Sequence, residues 1–312
     1  MRTARTRFAA MLVVALGLLS SPTARCQSTE NGSQAGILPT KEAWEGTEAG
    51  ESRTLTIKGV EYTFHWCPAG SFVMGSPETE TGRYSDEPQH RVTLSRGYWL
   101  LETEVTQGMW ESVMGTTAAD QRDKRNKALQ LSGIGADYPM YYVNWQECQE
   151  FIEKLSQEPE IPAGYKLSLP TEAQWEYACR AGTETQYNFG NVLNGDQANC
   201  DGNYPYGTST KGSYLEGTAK VRTYAPNGWG LYDTHGNVWE WCLDGYDREY
   251  YAKSPAADPA GDPVEPIAGS GRVLRGGGWD SDPGLCRSAY RGKYVLTDRY
   301  SCVGFRLALV RE

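Results

Sequence analysis

Histidine is nearly missing from this chain: the 312 residues contain three, His65, His90 and His235, and no Cys-x-x-Cys pair occurs. A zinc centre built on the usual sulfur and imidazole spacing is therefore excluded. No block of lysine or arginine stands out, and the net charge is −9, which argues against a nucleic-acid backbone or an anionic membrane surface as partner. Long apolar runs are also missing. The one run of note, Phe8 to Leu19, is too short to span a bilayer comfortably, so no transmembrane segment is expected. Sustained helical periodicity disappears after Gly182, leaving a C-terminal stretch longer than ordinary loops in a compact domain.

The N-terminus supplies a different signal. Arg2, Arg5 and Arg7 precede the Phe8–Leu19 run, and small residues follow to Ala24, the pattern of a cleaved export peptide over residues 1–26. Cys26 raises the alternative of a lipoprotein, which Arg25 disfavours because it occupies a position where that signal wants a small residue. Residues 27–50, rich in Ser, Gly, Glu and Thr, read as a flexible leader, and 51–312 as one large domain. The expected location is exported: periplasmic, cell-surface or secreted. Eight cysteines in such a chain favour disulfides over free thiols, and the seven that follow Cys26 leave an odd one.

Tryptophan, tyrosine and glycine are abundant where helices are scarce. The run Pro226 to Asp244, PNGWGLYDTHGNVWEWCLD, interleaves Trp229, Trp239 and Trp241 with glycines and oxygen-bearing side chains, and reads as a rigid buried loop rather than a helix or plain strand. Upstream, Val60–Trp66, Gly70–Gly75, Arg91–Leu94 and Tyr98–Leu101 read as strands. Thr106 and Asn144 are positioned to cap helices, the second carrying Trp145, Cys148, Phe151, Ile152 and Leu155 on one face. Thr171-Glu172-Ala173-Gln174 has the form of a capping box opening a helix to Ala181, with Gly182 as its stop. Val273–Arg275 and Gly304–Val310 are the expected late strands, and Ser254–Ser270 a surface loop.

Eight blocks fall in one order: PAGSFVMGS, LETEVTQGMW, VNWQECQEFI, LSLPTEAQWEYACRAG, PNGWGLYDTHGNVWEW, RVLRGGGWD, CRSAYR and GFRLAL. In this register the chain resembles the formylglycine-generating enzymes, also called sulfatase-modifying factors, over nearly the whole mature domain. The resemblance implies an α+β, C-type-lectin-like fold elaborated with long irregular segments. It also implies an oxygen-dependent oxidation of a sulfatase Cys or Ser, with copper held by two cysteines five residues apart after an Arg-Gly-Gly-Ser turn. Here the corresponding positions are Ser281 and Cys286, and Gly278 stands where the family has serine. Copper(I) prefers soft sulfur donors, and a serine hydroxyl is a poor substitute. Copper is therefore not expected, and Cys286 reads first as half of a disulfide.

Other expectations follow from the same resemblance. A structural calcium would be held by Asp233, Gly236, Val238 and Glu240, oxygen donors suited to a hard cation; the bland reading has the two carboxylates capping turns and pairing with arginines. A second family calcium would use Asn199 and the Cys200 carbonyl, but the segment Ser213–Leu215 lacks the matching aspartate. The family pattern pairs Cys148 with Cys302. For Cys286 the preferred partner is Cys242, because both lie in the irregular half beside the tryptophan core, with Cys179 as the competitor. Gly276–Gly278 lacks the rest of a phosphate loop and reads as a turn, while Tyr204 and Tyr206 read as core cover in preference to sugar-stacking residues, and His235 as structural. Three function classes result: a non-catalytic exported module binding a protein or glycan, an oxidase acting on a sulfatase, or another oxygen- or metal-dependent activity, for which family relatives bring iron-binding histidines that three histidines do not supply.

Overall fold

A computed structural model describes residues 44–260 and 271–312. The export segment, Cys26 and most of the leader lie outside the described residues, as does the second half of the Ser254–Ser270 loop. In chain order the elements are β1 (Ser52–Ile57), β2 (Val60–Cys67), β3 (Gly70–Met74), β4 (His90–Leu94), β5 (Tyr98–Leu101), α1 (Gln107–Met114), α2 (Ala118–Arg125), α3 (Trp145–Leu155), β6 (Tyr165–Ser168), α4 (Glu172–Arg180), β7 (Trp239–Gly245), α5 (Tyr250–Lys253), β8 (Arg272–Arg275), β9 (Gly292–Tyr294), β10 (Val303–Gly304) and β11 (Ala308–Arg311). The fold is α+β, with long irregular connections between the late strands, as the resemblance implied.

Helix starts follow the local chemistry of the sequence. At α4 the Gln174 amide N–H donates to Thr171 Oγ1 at 3.2 Å and the Thr171 N–H donates to Gln174 Oε1 at 2.9 Å, so the box closes reciprocally. Asn144 does the same for α3 with Glu147 (2.9 and 3.2 Å). The C-terminal end of α4 turns at Ala181, φ 46°, one residue before the glycine expected to stop it.

Three sheets organise the strands. The largest runs β1-β2-β5-β11-β6 and is antiparallel throughout, so β11 sits between β5 and β6. The second runs β10-β7-β8-β9, with β10 parallel to β7, and the third is the hairpin β3-β4. Against the large sheet, α3 packs Cys148, Phe151, Ile152 and Leu155 into the main core, where Phe151 stacks on Trp110 at 5.6 Å and Phe305 meets both rings edge-on.

Three expectations need correction. Residues 44–50 are not leader. Trp44 is buried and its carbonyl accepts from Trp99 Nε1 and the Tyr165 hydroxyl at 2.8 and 2.9 Å, so one large aromatic ring draws the preceding segment onto the domain. Only the first part of Pro226–Asp244 is loop, because Trp239–Gly245 pairs with β8 and β10 as a strand. The strand foreseen over Gly304–Val310 is split at Phe305–Leu307, its two halves serving different sheets.

Behind these elements lies a buried ionic layer. Arg275, fully buried, donates to Glu172 at 2.8 Å and Glu176 at 2.6 Å, with its guanidinium over Trp175. Arg291 grips Glu172 through Nε (2.7 Å) and Nη2 (2.9 Å) and lies 4.1 Å from the Tyr251 ring centroid. Arg287 pairs with Glu80 and Glu87, and Arg306 with Glu240. Burial alone would raise Glu172, but Arg291 and Arg275 hold it down at about 2.

Removing one member of such a buried set strands a charge. Glu172→Ala should cost about 3–5 kcal/mol in urea unfolding, whereas Asp137→Ala, which breaks the exposed pair with Lys220, should cost under about 1 kcal/mol. Because the folded value of Glu172 is lowered, its contribution is complete above the ordinary 4.5 and is lost as pH falls towards about 2. The urea midpoint should therefore drop through that acid window, and a midpoint constant from pH 5 to 2 would contradict the assignment.

Candidate functional site

The segment after Pro226 is held by one asparagine. Asn227 Nδ2 donates to the Ala178 and Cys179 carbonyls at the end of α4 (2.7 and 3.2 Å), and its Oδ1 accepts from the Trp229 and Leu231 amides (2.9 and 3.1 Å). The chain then passes through left-handed positions at Asp233 (φ 56°), Gly236 (φ 80°) and Asn237 (φ 64°). At Gly236 a side chain is impossible, because a Cβ would lie 2.2 Å from the Asn199 carbonyl oxygen. Buried Val238 leads into β7, where Trp241 donates to the Val143 carbonyl at 3.1 Å.

Of the four expected calcium ligands, Asp233 and Glu240 come together near Arg306. Glu240 Oε2 accepts from Trp175 Nε1 (2.7 Å) and Arg306 Nε (2.6 Å), which fills both its lone pairs, while Oε1 accepts from Arg306 Nη2 (2.6 Å). Asp233 Oδ2 accepts from the Arg222 amide at 2.9 Å. Glu104, which no sequence motif marks as a ligand, joins them: its Oε1 accepts from Asn237 Nδ2 at 3.1 Å and its Oε2 is buried without a partner. Burial, then the charge of Asp233, pushes Glu104 well up; burial, with Glu240 adding to it, pushes Asp233 up to about 6 against Arg222 and Arg306. Three carboxylates thus face the Arg306 guanidinium, an excess of negative charge.

Tested against a calcium ion, these residues fit in donor chemistry but are already engaged as the bland reading had it, Glu240 pairing with Arg306 and Asp233 accepting from the Arg222 amide. The donors are all hard oxygens, the Glu104 oxygen and Asn199 Oδ1 are buried and unpartnered, and Glu240 Oε1 keeps a lone pair. The carbonyls of Gly236 and Val238 would have to complete the set, since among the described residues no three Asp, Glu, His or Cys side chains gather closely enough to hold a metal by themselves.

The positions matching the copper pair behave differently from each other. Ser281 is buried, its Oγ accepting from Trp239 Nε1 at 3.1 Å and from the Gly278 amide at 3.0 Å. It lines a cleft of about 480 Å³ whose walls include Trp239, Tyr290 and Tyr294 and the charged side chains of Asp280, Asp282 and Lys293. Cys286, at the end of the 3-10 turn Pro283–Cys286, turns instead into a separate cluster with Tyr187, Leu193, Ala198 and Cys200. The neighbouring Cys200 thiol and then burial push its thiol well above the ordinary range.

The disulfide expectations fail in this structure. Cys67, Cys148, Cys179, Cys200, Cys242, Cys286 and Cys302 are all free and buried. Cys148 and Cys302 both lie in the main core but are not joined, and Cys242 shares its surroundings with Cys179 and Trp175, away from Cys286. The irregular path of the late segments decides these neighbours, and sequence spacing carries no record of it.

His235 is structural, as expected. Its Nε2 accepts from the Asn188 amide (3.0 Å), so Nδ1 carries the proton and donates to the Cys286 carbonyl (2.7 Å). Burial lowers its pKa to about 4 and raises that of the neighbouring Cys179 to about 11, which leaves both groups neutral and unsuited to nucleophilic catalysis. Tyr206 covers the Tyr187 cluster, whereas Tyr204 is exposed instead of lying on the core. Gly276 and Gly277 turn with φ 93° and 76°, and Gly276 O accepts from the Gly236 amide at 2.8 Å.

Comparison with known proteins adds to this geometry. Residues 58–311 match the family described as sulfatase-modifying factor enzyme 1-like domain. A formylglycine-generating enzyme of Streptomyces coelicolor is 38% identical over 53% of this chain and 48% of its own, so the match spans about half of that relative. An inactive C-alpha-formylglycine-generating enzyme 2 of Bos taurus is 30% identical over 57% of this chain and 51% of its own. Among solved structures, Treponema denticola variable protein 1 superposes with a TM-score of 0.65 at 28% identity, covering 82% of this chain and 98% of that one. PvdO from Pseudomonas aeruginosa gives the same TM-score at 26% identity, covering 85% and 99%.

Proposed function

We propose that this chain, which belongs to the sulfatase-modifying factor family, is an exported binding or assembly module that works without the family's copper-dependent oxidase chemistry. The observation that carries this reading is Ser281. A hydroxyl stands where a thiolate would be needed, and it already accepts from Trp239 and from the Gly278 amide. A single sulfur, Cys286, remains, and it faces Cys200 and Tyr187 while Ser281 faces the cleft. Copper(I) needs soft donors converging on a point open to oxygen, and the one thiol that packs near Cys286, that of Cys200, lies with it in a closed, buried cluster away from the cleft. The relative named inactive gives the reading precedent within the family.

For a binding role the cleft beside Ser281 is the natural surface. It combines aromatic faces with exposed charges of both signs, the composition that orients a protein or glycan ligand. Export agrees with the N-terminal pattern of residues 1–26, and among the described residues no helix is long and apolar enough to cross a membrane.

Calcium is proposed as a structural ion held by Asp233, the carbonyls of Gly236 and Val238, and Glu240, with the unpartnered Glu104 oxygen adjoining. Its chemistry there is charge neutralisation, which lets the three carboxylates remain ionised in a buried space. Ligand that binds only the folded state stabilises it by mass action. Chelation should therefore lower the Tm by several degrees, and Asp233→Ala should remove most of that difference; an unchanged Tm in chelator would refute the ion.

The oxidase alternative is tested directly. Purified protein supplied with copper, oxygen, a reductant and a peptide bearing the sulfatase motif should form no aldehyde above background. Robust aldehyde formation that disappears in Cys286→Ser would establish the oxidase and displace the binding reading.

A further inference from the structure

Cys200 and Cys286 are buried and pack together in one small cluster, closed by Tyr187, Leu193 and Ala198. The backbone on each side is pinned. The Asp201 amide donates to the Ser281 carbonyl at 2.9 Å, the Asn199 carbonyl accepts from the Asn237 amide at 2.8 Å, and the Tyr187 hydroxyl donates to the Pro283 carbonyl at 2.7 Å. Gly277 clears the space, since a Cβ there would sit 2.4 Å from Cys286 Sγ. These contacts hold two thiols side by side from segments distant in sequence, a placement that loosely packed free cysteines would not require.

We propose that Cys200 and Cys286 form an intramolecular disulfide when the chain folds in the presence of a thiol–disulfide oxidant such as oxidised glutathione. In the first step one cysteine thiolate attacks a glutathione sulfur, breaking that disulfide and releasing one reduced glutathione. In the second, the other thiolate attacks the mixed disulfide and releases another. Two S–H bonds and one glutathione S–S bond are consumed, one protein S–S bond and two glutathione thiols are formed, and the two protons pass to the glutathione thiolates. Both thiols are buried out of reach of glutathione in the folded chain, and that of Cys286 is raised well above its ordinary range, so exchange belongs to folding, before the cluster closes. The bond fastens the segment bearing Asn199 to the one leading from the Ser281 cleft, and it removes Cys286 from any metal chemistry. It stands independently of the binding reading.

Protein refolded from the reduced, unfolded state in glutathione buffer, alkylated and digested without reduction tests the pairing. The Cys200 and Cys286 peptides should be recovered linked, and thiol titration of the denatured, unreduced protein should find two fewer thiols than after reduction. Reduction should lower the Tm by roughly 5–10 °C, a difference absent in Cys200→Ser. Recovery of both cysteines singly alkylated, or of Cys286 linked to Cys179 or Cys242, overturns the proposal. Peptide mapping and thiol titration of the wild type decide it even if Cys200→Ser fails to fold.

Discussion

Buried arginines are the constraint on which this structure depends. Arg275, Arg287, Arg291 and Arg306 lie in the interior, and each is neutralised by carboxylates that precede it in the chain: Glu172 and Glu176 from α4, Glu80 and Glu87 from the loop after β3, and Glu240 from β7. A guanidinium withdrawn from water is tolerated only with its partners in place. The late irregular segments and the early ones therefore settle together, since either partner left alone would be a buried uncompensated charge. This directional requirement does for the glycine- and tryptophan-rich half what hydrogen-bonded ladders do for ordinary sheets. It fixes unique neighbours where apolar packing alone would permit several.

The candidate sites occupy the two edges of that ionic layer. On one edge, Glu240 is divided between Arg306 and the carboxylate group formed with Asp233 and Glu104. On the other, the turn after Arg275 delivers Ser281 to the cleft and Cys286 to the Tyr187 cluster. Serine at position 281 offers a hydroxyl in place of sulfur, and that hydroxyl is part of the turn's own bonding, accepting from the Gly278 amide and the Trp239 indole. The shape of such a turn does not depend on a metal-binding sulfur at that position, and fold and function are separable in this way.

Much of the architecture was legible in the sequence because its causes are local. Thr106, Asn144 and Thr171 announce their helices through side chains that reach only three residues ahead. The eight motif blocks carry the rest of the fold as resemblance. What could not be read depends on contacts between segments far apart. Trp44 looks like leader until Trp99 and Tyr165 are placed beneath it, Trp239–Gly245 becomes a strand only when β8 and β10 flank it, and Glu104 enters the carboxylate group through Asn237. Cys200 and Cys286 meet for the same reason. No periodicity or spacing encodes that encounter.

The place of β11 has a consequence for how the chain is made. As a central strand between β5 and β6, it supplies hydrogen bonds to both neighbours, so the largest sheet remains two disconnected pieces until residues 308–311 leave the ribosome. Vectorial synthesis therefore cannot yield a finished sheet from the N-terminus onward. The nascent polypeptide stays open, with β5 and β6 unbridged, until β11 arrives after every other strand of that sheet has been made.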